Sequence, residues 1–159
     1  MVDLAKTLQL YNAAFADGSI VPQRCELHKD LYVLSDEVPG GTRVTYARVV
    51  KGRAIALVVF VSVDPVDGMP CFNVGYAVDP DHRRKGLGKS VLAASLKEMQ
   101  HGLKRHSNRP FVVEAVVALE NEASNRLATQ LLCDEPNRIV CDESGEDAFQ
   151  YLRTISLQG

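Results

Sequence analysis

The chain has 159 residues, a length suited to one domain spanning 1–159, and its 46% hydrophobic content can supply a full core. A formal net charge of −2 speaks against a nucleic-acid partner, because such binders usually carry an overall basic surface. The four cysteines, Cys25, Cys71, Cys133 and Cys141, form no C-x-x-C pair, so the sequence encodes no metal knuckle and no dithiol redox motif.

The first predicted element is an amphipathic helix over Leu4 to Phe15, with Leu4, Leu8, Tyr11 and Phe15 at near-helical spacing. Asp3 and Lys6 interrupt the apolar start, so a secretory signal is not expected. After Pro22 the pattern predicts a second helical or irregular stretch, closed by the break at Pro39-Gly40-Gly41. Two runs rich in β-branched residues follow, Thr42 to Val50 and Arg53 to Val63, with Lys51-Gly52 between them as a hairpin turn. The stretch from Ala54 to Val63 is the longest apolar one and is too short to span a bilayer. A cytoplasmic protein with free thiols and no membrane contact is therefore expected.

Asp64-Pro65 and Asp67-Gly68 mark a turn before a strand over Cys71 to Val78, which Asp79-Pro80 stops. A helix follows, carrying Leu92, Leu96, Met99 and Leu103 on one side. Beyond Asn108-Arg109-Pro110 come a buried strand over Phe111 to Val117 and a helix over Asn121 to Leu132. Two strands close the chain, Arg138 to Cys141 and Ala148 to Ile155, with Ser144-Gly145 in the turn. The order is that of a mixed α/β domain.

Between the third strand and the following helix lies Asp79-Pro80-Asp81-His82-Arg83-Arg84-Lys85-Gly86-Leu87-Gly88-Lys89-Ser90. A helix starting near Gly86 presents unpaired N–H groups and a positive dipole end, and glycines at 86 and 88 allow a ligand close to that backbone. These features suit a pyrophosphate. Neither nucleotide motif is complete, however. G-x-x-x-x-G-K-[ST] would need glycine at Arg83, and G-x-G-x-x-G would need it at Val91.

The stretch from Phe72 to Leu92 resembles the cofactor motif of the GNAT superfamily of acetyltransferases. That family joins a strand ending in V-x-P to [QR]-x-x-G-x-[GA] and a helix start, matched here by Val78, Pro80, Arg83, Gly86 and Gly88. The resemblance implies a mostly antiparallel central sheet flanked by helices, with a V-shaped splay after the cofactor strand. It implies acetyl-CoA as co-substrate, with the pyrophosphate on the backbone of Arg83, Arg84, Lys85, Gly86, Leu87, Gly88, Lys89 and Ser90. The pantetheine arm would lie along Tyr76, Ala77 and Val78, where an N–H near Val78 polarises the thioester carbonyl.

A second family motif starts at an asparagine, matched here by Asn121, and Asn121 to Leu127 looks like the N-x-x-S-x-x-[VL] variant of ribosomal-protein N-acetyltransferases. The resemblance makes Asn121 a pantetheine contact and Ser124 the hydroxyl that assists thiolate departure; either residue would also cap a helix. The chain departs from the family at two catalytic positions. The tyrosine usually found seven residues after the asparagine is Ala128, and the usual strand glutamate is Asn73. Glu114 on the next strand, or Glu120, is then the candidate base acting through water, and a solvent-facing or charge-paired Glu114 is the competing reading.

No histidine cluster has metal-ligand spacing, and no catalytic metal is expected. His82 sits in the loop, while His101 and His106 lie near the negative end of the helix that follows. Acidic residues Asp142, Glu143, Glu146 and Asp147 suggest a cationic primary amine as acceptor, on a small molecule or a protein. The residues from about Ala13 to Asp36 and the final hairpin would shape the acceptor side, and a homodimer is among the assemblies the family implies. The missing tyrosine and glutamate leave open a CoA-binding regulatory module with weak or no catalysis. A protein that binds a macromolecular partner is the remaining alternative.

Overall fold

A computed structural model describes residues 4–83 and 85–157. Helix α1 (Ala5–Asp17) is followed by strands β1 (Gln23–Arg24), β2 (Leu31–Val38), β3 (Gly41–Val50), β4 (Arg53–Val66) and β5 (Met69–Val78). A short 3-10 turn (Pro80–His82), helix α2 (Leu87–Leu103), strand β6 (Phe111–Ala118), helix α3 (Glu122–Leu131) and strands β7 (Asn137–Val140) and β8 (Asp147–Ile155) complete the order. All eight strands form one open sheet, β1-β2-β3-β4-β5-β6-β8-β7, antiparallel except where β5 meets β6.

Strand alternation gives the sheet two apolar faces. Ala56, Val58 and Phe60 of β4, with Val74 of β5, pack beneath Val91, Leu92, Leu96 and Met99 of α2 and Leu127 and Ala128 of α3. Leu57 and Val59 of β4 and Ala77 of β5 face the other way, onto Leu8 and Tyr11 of α1, with Leu4 and Phe15 half-buried at the edge. The helical spacing read in α1 thus marks its buried side. Asn12 fastens the helix down by imitating a strand partner: its amide donates to the Ala54 carbonyl at 2.9 Å and accepts from the Ala54 N–H at 2.8 Å.

Two tight hairpins set the register of the antiparallel half. Lys51 and Gly52 have φ of 53° and 78°, and Asp67 and Gly68 have 50° and 77°. Paired positive φ values match the type I′ turn, whose twist fits the flanking strands. Pro39-Gly40 closes a third hairpin, so the break expected there is the β2–β3 turn.

Two sequence expectations are corrected. The segment after Pro22 is not helical: it contributes β1 and β2, and β2 pairs along its whole length with β3. Cross-strand pairs hold its polar end, with Asp36 opposite and ion-paired to Arg43, and Glu37 opposite Thr42. Asp64-Pro65 is not a turn either. β4 runs on to Val66, and the register slips between Val63 and Val66, a bulge that accommodates a proline with no N–H to give.

The loop between β1 and β2 is strapped to α2. Glu98, buried on α2, accepts from the N–H groups of Leu27 at 3.3 Å and His28 at 2.6 Å and meets His28 Nδ1 at 2.7 Å. One turn further on, His101 Nε2 lies 2.8 Å from Glu26, which also pairs with Arg105 and is held below the usual carboxylate range by these partners. His101 is therefore engaged by a carboxylate as well as placed near the helix end.

Candidate active site

The site begins where the sheet opens. β5 and β6 pair only over Cys71–Asn73 and Val112–Glu114. Beyond Asn73, β5 keeps β4 on one side and, among the described residues, has no strand partner on the other. Tyr76, Ala77 and Val78 lie on this released stretch. The opening leads into a cleft of about 630 Å³ lined by all three, by the loop and first turn of α2, and by one side of α3.

Proline at position 80 ends β5, and Asp79 then shapes the loop. Its carboxylate, 5% exposed, accepts from the Asp81 N–H at 2.9 Å and pairs with Arg53 at 3.0 Å. The His82 N–H donates to the Asp79 carbonyl at 2.8 Å, closing the 3-10 turn. Arg83 continues extended, with Nε 3.3 Å from the Val78 carbonyl.

Gly86 caps α2 at φ 72°, where any other residue would be strained, and no side chain caps the helix. The first intrahelical bond runs from the Ser90 N–H to the Gly86 carbonyl at 3.1 Å. The N–H groups of Leu87, Gly88 and Lys89 therefore lack acceptors within the helix and stand at the cleft with the positive dipole end. Lysine and arginine side chains reinforce this polarity. Arg83, Lys89 and Arg126 line the cleft, and no aspartate or glutamate is among its described lining residues.

The two glycines serve different ends. A Cβ on Gly86 would meet nothing within 4 Å, so that residue is required by backbone conformation alone. A Cβ on Gly88 would lie 3.2 Å from Cε2 of the Tyr76 ring. The space left open there is filled by a phenol as well as being close to the exposed backbone.

Of the residues singled out from sequence, Tyr76, Ala77, Val78, Arg83, Gly86, Leu87, Gly88, Lys89, Asn121 and Ser124 all border this one cleft. Lys85 is exposed in the turn before α2, and Arg84 lies outside the described residues. Ser90 points elsewhere: its hydroxyl accepts from Arg48 Nη1 at 2.8 Å, and Arg48 in turn pairs with Asp30 at 3.1 Å.

Asn121 is the N-cap of α3, its Oδ1 accepting from the Ser124 N–H at 3.2 Å. Ser124 is 4% exposed, and its hydroxyl lies 3.3 Å from the Tyr76 hydroxyl. Asn125, adjacent in sequence, is structural. Its amide binds the carbonyls of Ala118 and Asn121 at 3.0 Å each, and it accepts from the Tyr151 hydroxyl at 2.7 Å.

Glu114 is not in the cleft lining; it sits at the fork, opposite Asn73 in the β5–β6 register. Both of its oxygens are engaged, by Asn73 Nδ2 at 3.0 Å and by Gln150 Nε2 at 2.8 Å. Alternation puts Phe111, Val113 and Ala115 in the core beneath α2 and α3, so Glu114 faces the opposite side of the sheet. Asn73 is thus a partner of Glu114. Glu120 lies in the turn before α3.

Sequence reading overlooked Arg126 and Gln130, which line the cleft from α3. Their signal was present, since both follow Ala123 at helical spacing on the side beside Ser124 and Leu127. His82, from the loop, also lines the cleft. Its Nδ1 is buried without a hydrogen-bond partner, 3.9 Å from Asp79. Among the described residues there is no group of three His, Cys, Asp or Glu side chains fit to hold a metal, and no helix is long and apolar enough to cross a membrane.

The open sheet, its forked parallel pair and three helices define the GNAT architecture. The model of the Acetyltransferase (GNAT) family matches residues 7–132, and the chain belongs to that family. Among solved structures, a ribosomal-protein-alanine N-acetyltransferase from Brucella melitensis aligns at TM-score 0.54 and 17% identity, over 97% of this chain and 80% of that one. A chimeric spermidine N-acetyltransferase from Vibrio cholerae and hSSAT aligns at TM-score 0.55 and 15% identity, over 70% and 69%. RimL, a ribosomal alpha-N-protein acetyltransferase solved with coenzyme A, aligns at TM-score 0.50 and 20% identity, over 73% and 64%. These identities express a shared fold. The match spans less than two thirds of RimL and 60% of a ribosomal-protein-S5-alanine acetyltransferase from Vibrio fischeri. No curated protein matches the chain.

Proposed function

We propose that the cleft binds acetyl-CoA and that the chain transfers the acetyl group to a primary amine by direct attack in a ternary complex. One observation carries this reading: the released end of β5 runs into the uncapped first turn of α2, with the buried Ser124 hydroxyl in the same cleft. The N–H groups of Leu87, Gly88 and Lys89 would hold the pyrophosphate, with Arg83, Lys89 and Arg126 offsetting its charge. The main chain of Tyr76 to Val78 would bind the pantetheine arm as an added strand would.

The co-substrate supplies an acetyl group already activated as a thioester. An N–H near Val78 stabilises charge on the carbonyl oxygen, and Ser124 donates toward the departing sulfur. Glu114, on the far side of the fork, takes the amine's surplus proton through water. Holding the amine against the thioester can contribute about 7–11 kcal/mol at best, which tolerates a weak acid and a remote base. The exposed Asp142, Glu143 and Glu146 of the β7–β8 turn favour a cationic acceptor; Asp147 is partly neutralised by Arg138 at 3.0 Å.

Isothermal titration with acetyl-CoA tests the core of this reading, and absence of binding at millimolar concentration contradicts it. A CoA-binding module with little turnover is the second reading. It is favoured by Ala128, which is fully buried and brings no hydroxyl to the cleft. Turnover on a panel of amines, reduced to a measurable residue in Ser124→Ala, decides against it.

A further inference from the structure

Tyr76 brings a side chain to the cleft as well as a stretch of backbone. On β5 it shares the α2 side with Val74 and Val78, while Ala77 faces α1. Its ring fits over Gly88, where a Cβ would come within 3.2 Å of it, so the first turn of α2 determines where the ring lies. From there the hydroxyl reaches 3.3 Å from Ser124 Oγ on α3. Ser124 is fixed from its own side, because Asn121 caps its N–H at 3.2 Å. The two hydroxyls thus meet across the mouth of the fork, both on the cleft wall.

A phenyl ring would pack over Gly88 equally well, so packing does not explain the hydroxyl. Chemistry does. A serine hydroxyl that gives its proton to a departing thiolate must recover one at once. The other ionisable groups lining the cleft are His82, Arg83, Lys89 and Arg126, from the loop, the start of α2 and α3. Tyr76 is the group in hydrogen-bond contact with Ser124.

We propose that Tyr76 is a positioning residue for acetyl transfer, orienting the Ser124 hydroxyl and resupplying its proton. The inference rests on the acetyl-CoA reading above. As the amine nitrogen bonds to the acetyl carbon, the C–S bond breaks and its electron pair passes to sulfur. Sulfur takes the Ser124 proton, Ser124 takes the Tyr76 proton, and Tyr76 regains one from water. The surplus proton of the amine passes through water to Glu114, so the reaction is balanced as free thiol and amide.

Tyr76→Phe keeps the ring and removes the relay. The expected result is a fall in kcat of about 10²-fold, with KM for acetyl-CoA and the melting temperature within error of the parent. In a Ser124→Ala background the same substitution is expected to cost less than about twofold, since the relay is already cut. Three results overturn the proposal: kcat of Tyr76→Phe within about twofold of the parent, a rise in KM at unchanged kcat, or losses that multiply in the double variant. A parent chain that binds no acetyl-CoA removes the cofactor reading and the relay with it. A parent that turns over beside an unaffected Tyr76→Phe removes the relay alone.

Discussion

Gly86 and Gly88 stand two residues apart and are glycine for different physical reasons. Gly86 has φ 72° with open space around it, so only backbone conformation penalises a side chain. Gly86→Ala is expected to cost about 1 kcal/mol of stability, and Gly86→Asn less, because asparagine tolerates the left-handed region better. Urea unfolding of the three chains checks this; equal midpoints would count against it. At Gly88 the neighbour is the Tyr76 ring, which could not be inferred from the sequence. A glycine in a sequence shows neither its φ nor what lies across from it. Asn121 and Ser124 were legible because a family motif spaces them. The Tyr76 hydroxyl was not, since it meets Ser124 across 48 residues of chain.

Elements with a local signal were the readable ones. Helices α1, α2 and α3 show their buried sides at 3.6-residue spacing, and the glycine turns at 52 and 68 mark their hairpins. β2 was missed because its end, Ser35-Asp36-Glu37, carries no apolar alternation. Much of what holds that end lies on β3, at Arg43 and Thr42. Proline at position 65 reads as a turn until its bulge is seen, and the strap from residues 26–28 to α2 is equally non-local. Glu98 gathers two main-chain N–H groups and His28 in a buried position. Glu98→Ala leaves these donors without an acceptor and is expected to cost about 3 kcal/mol, with Glu98→Gln costing less because one carbonyl acceptor remains. Thermal denaturation of both variants measures it, and a Glu98→Ala cost under about 1 kcal/mol would mean water replaces the carboxylate.

Taken whole, the molecule is one sheet with a fork at its middle. The order of elements indicated a mixed α/β domain, but the fork came only from the family resemblance, because the parting of β5 and β6 depends on pairing that no local pattern records. The buried core also sets a response to pH. Burial pushes the Cys25 thiol up to about 12 and the Cys71 thiol to about 11, from an ordinary 9.0, and the Tyr11 phenol to about 12 from 10.0. The charges of Glu98, Glu114 and Cys25 add to these shifts in turn. An unfolded chain releases these protons first, so their contribution to stability is intact below about pH 9 and falls as pH rises toward about 11–12. Urea midpoints are expected to drop over that range, and Cys25→Ala to flatten the drop. The most direct measurement of the central claim is a crystal structure grown with coenzyme A. It should place the pyrophosphate on the N–H groups of Leu87, Gly88 and Lys89 and the sulfur beside the Ser124 hydroxyl. Coenzyme A bound outside this cleft, or with its sulfur remote from Ser124, would contradict that claim.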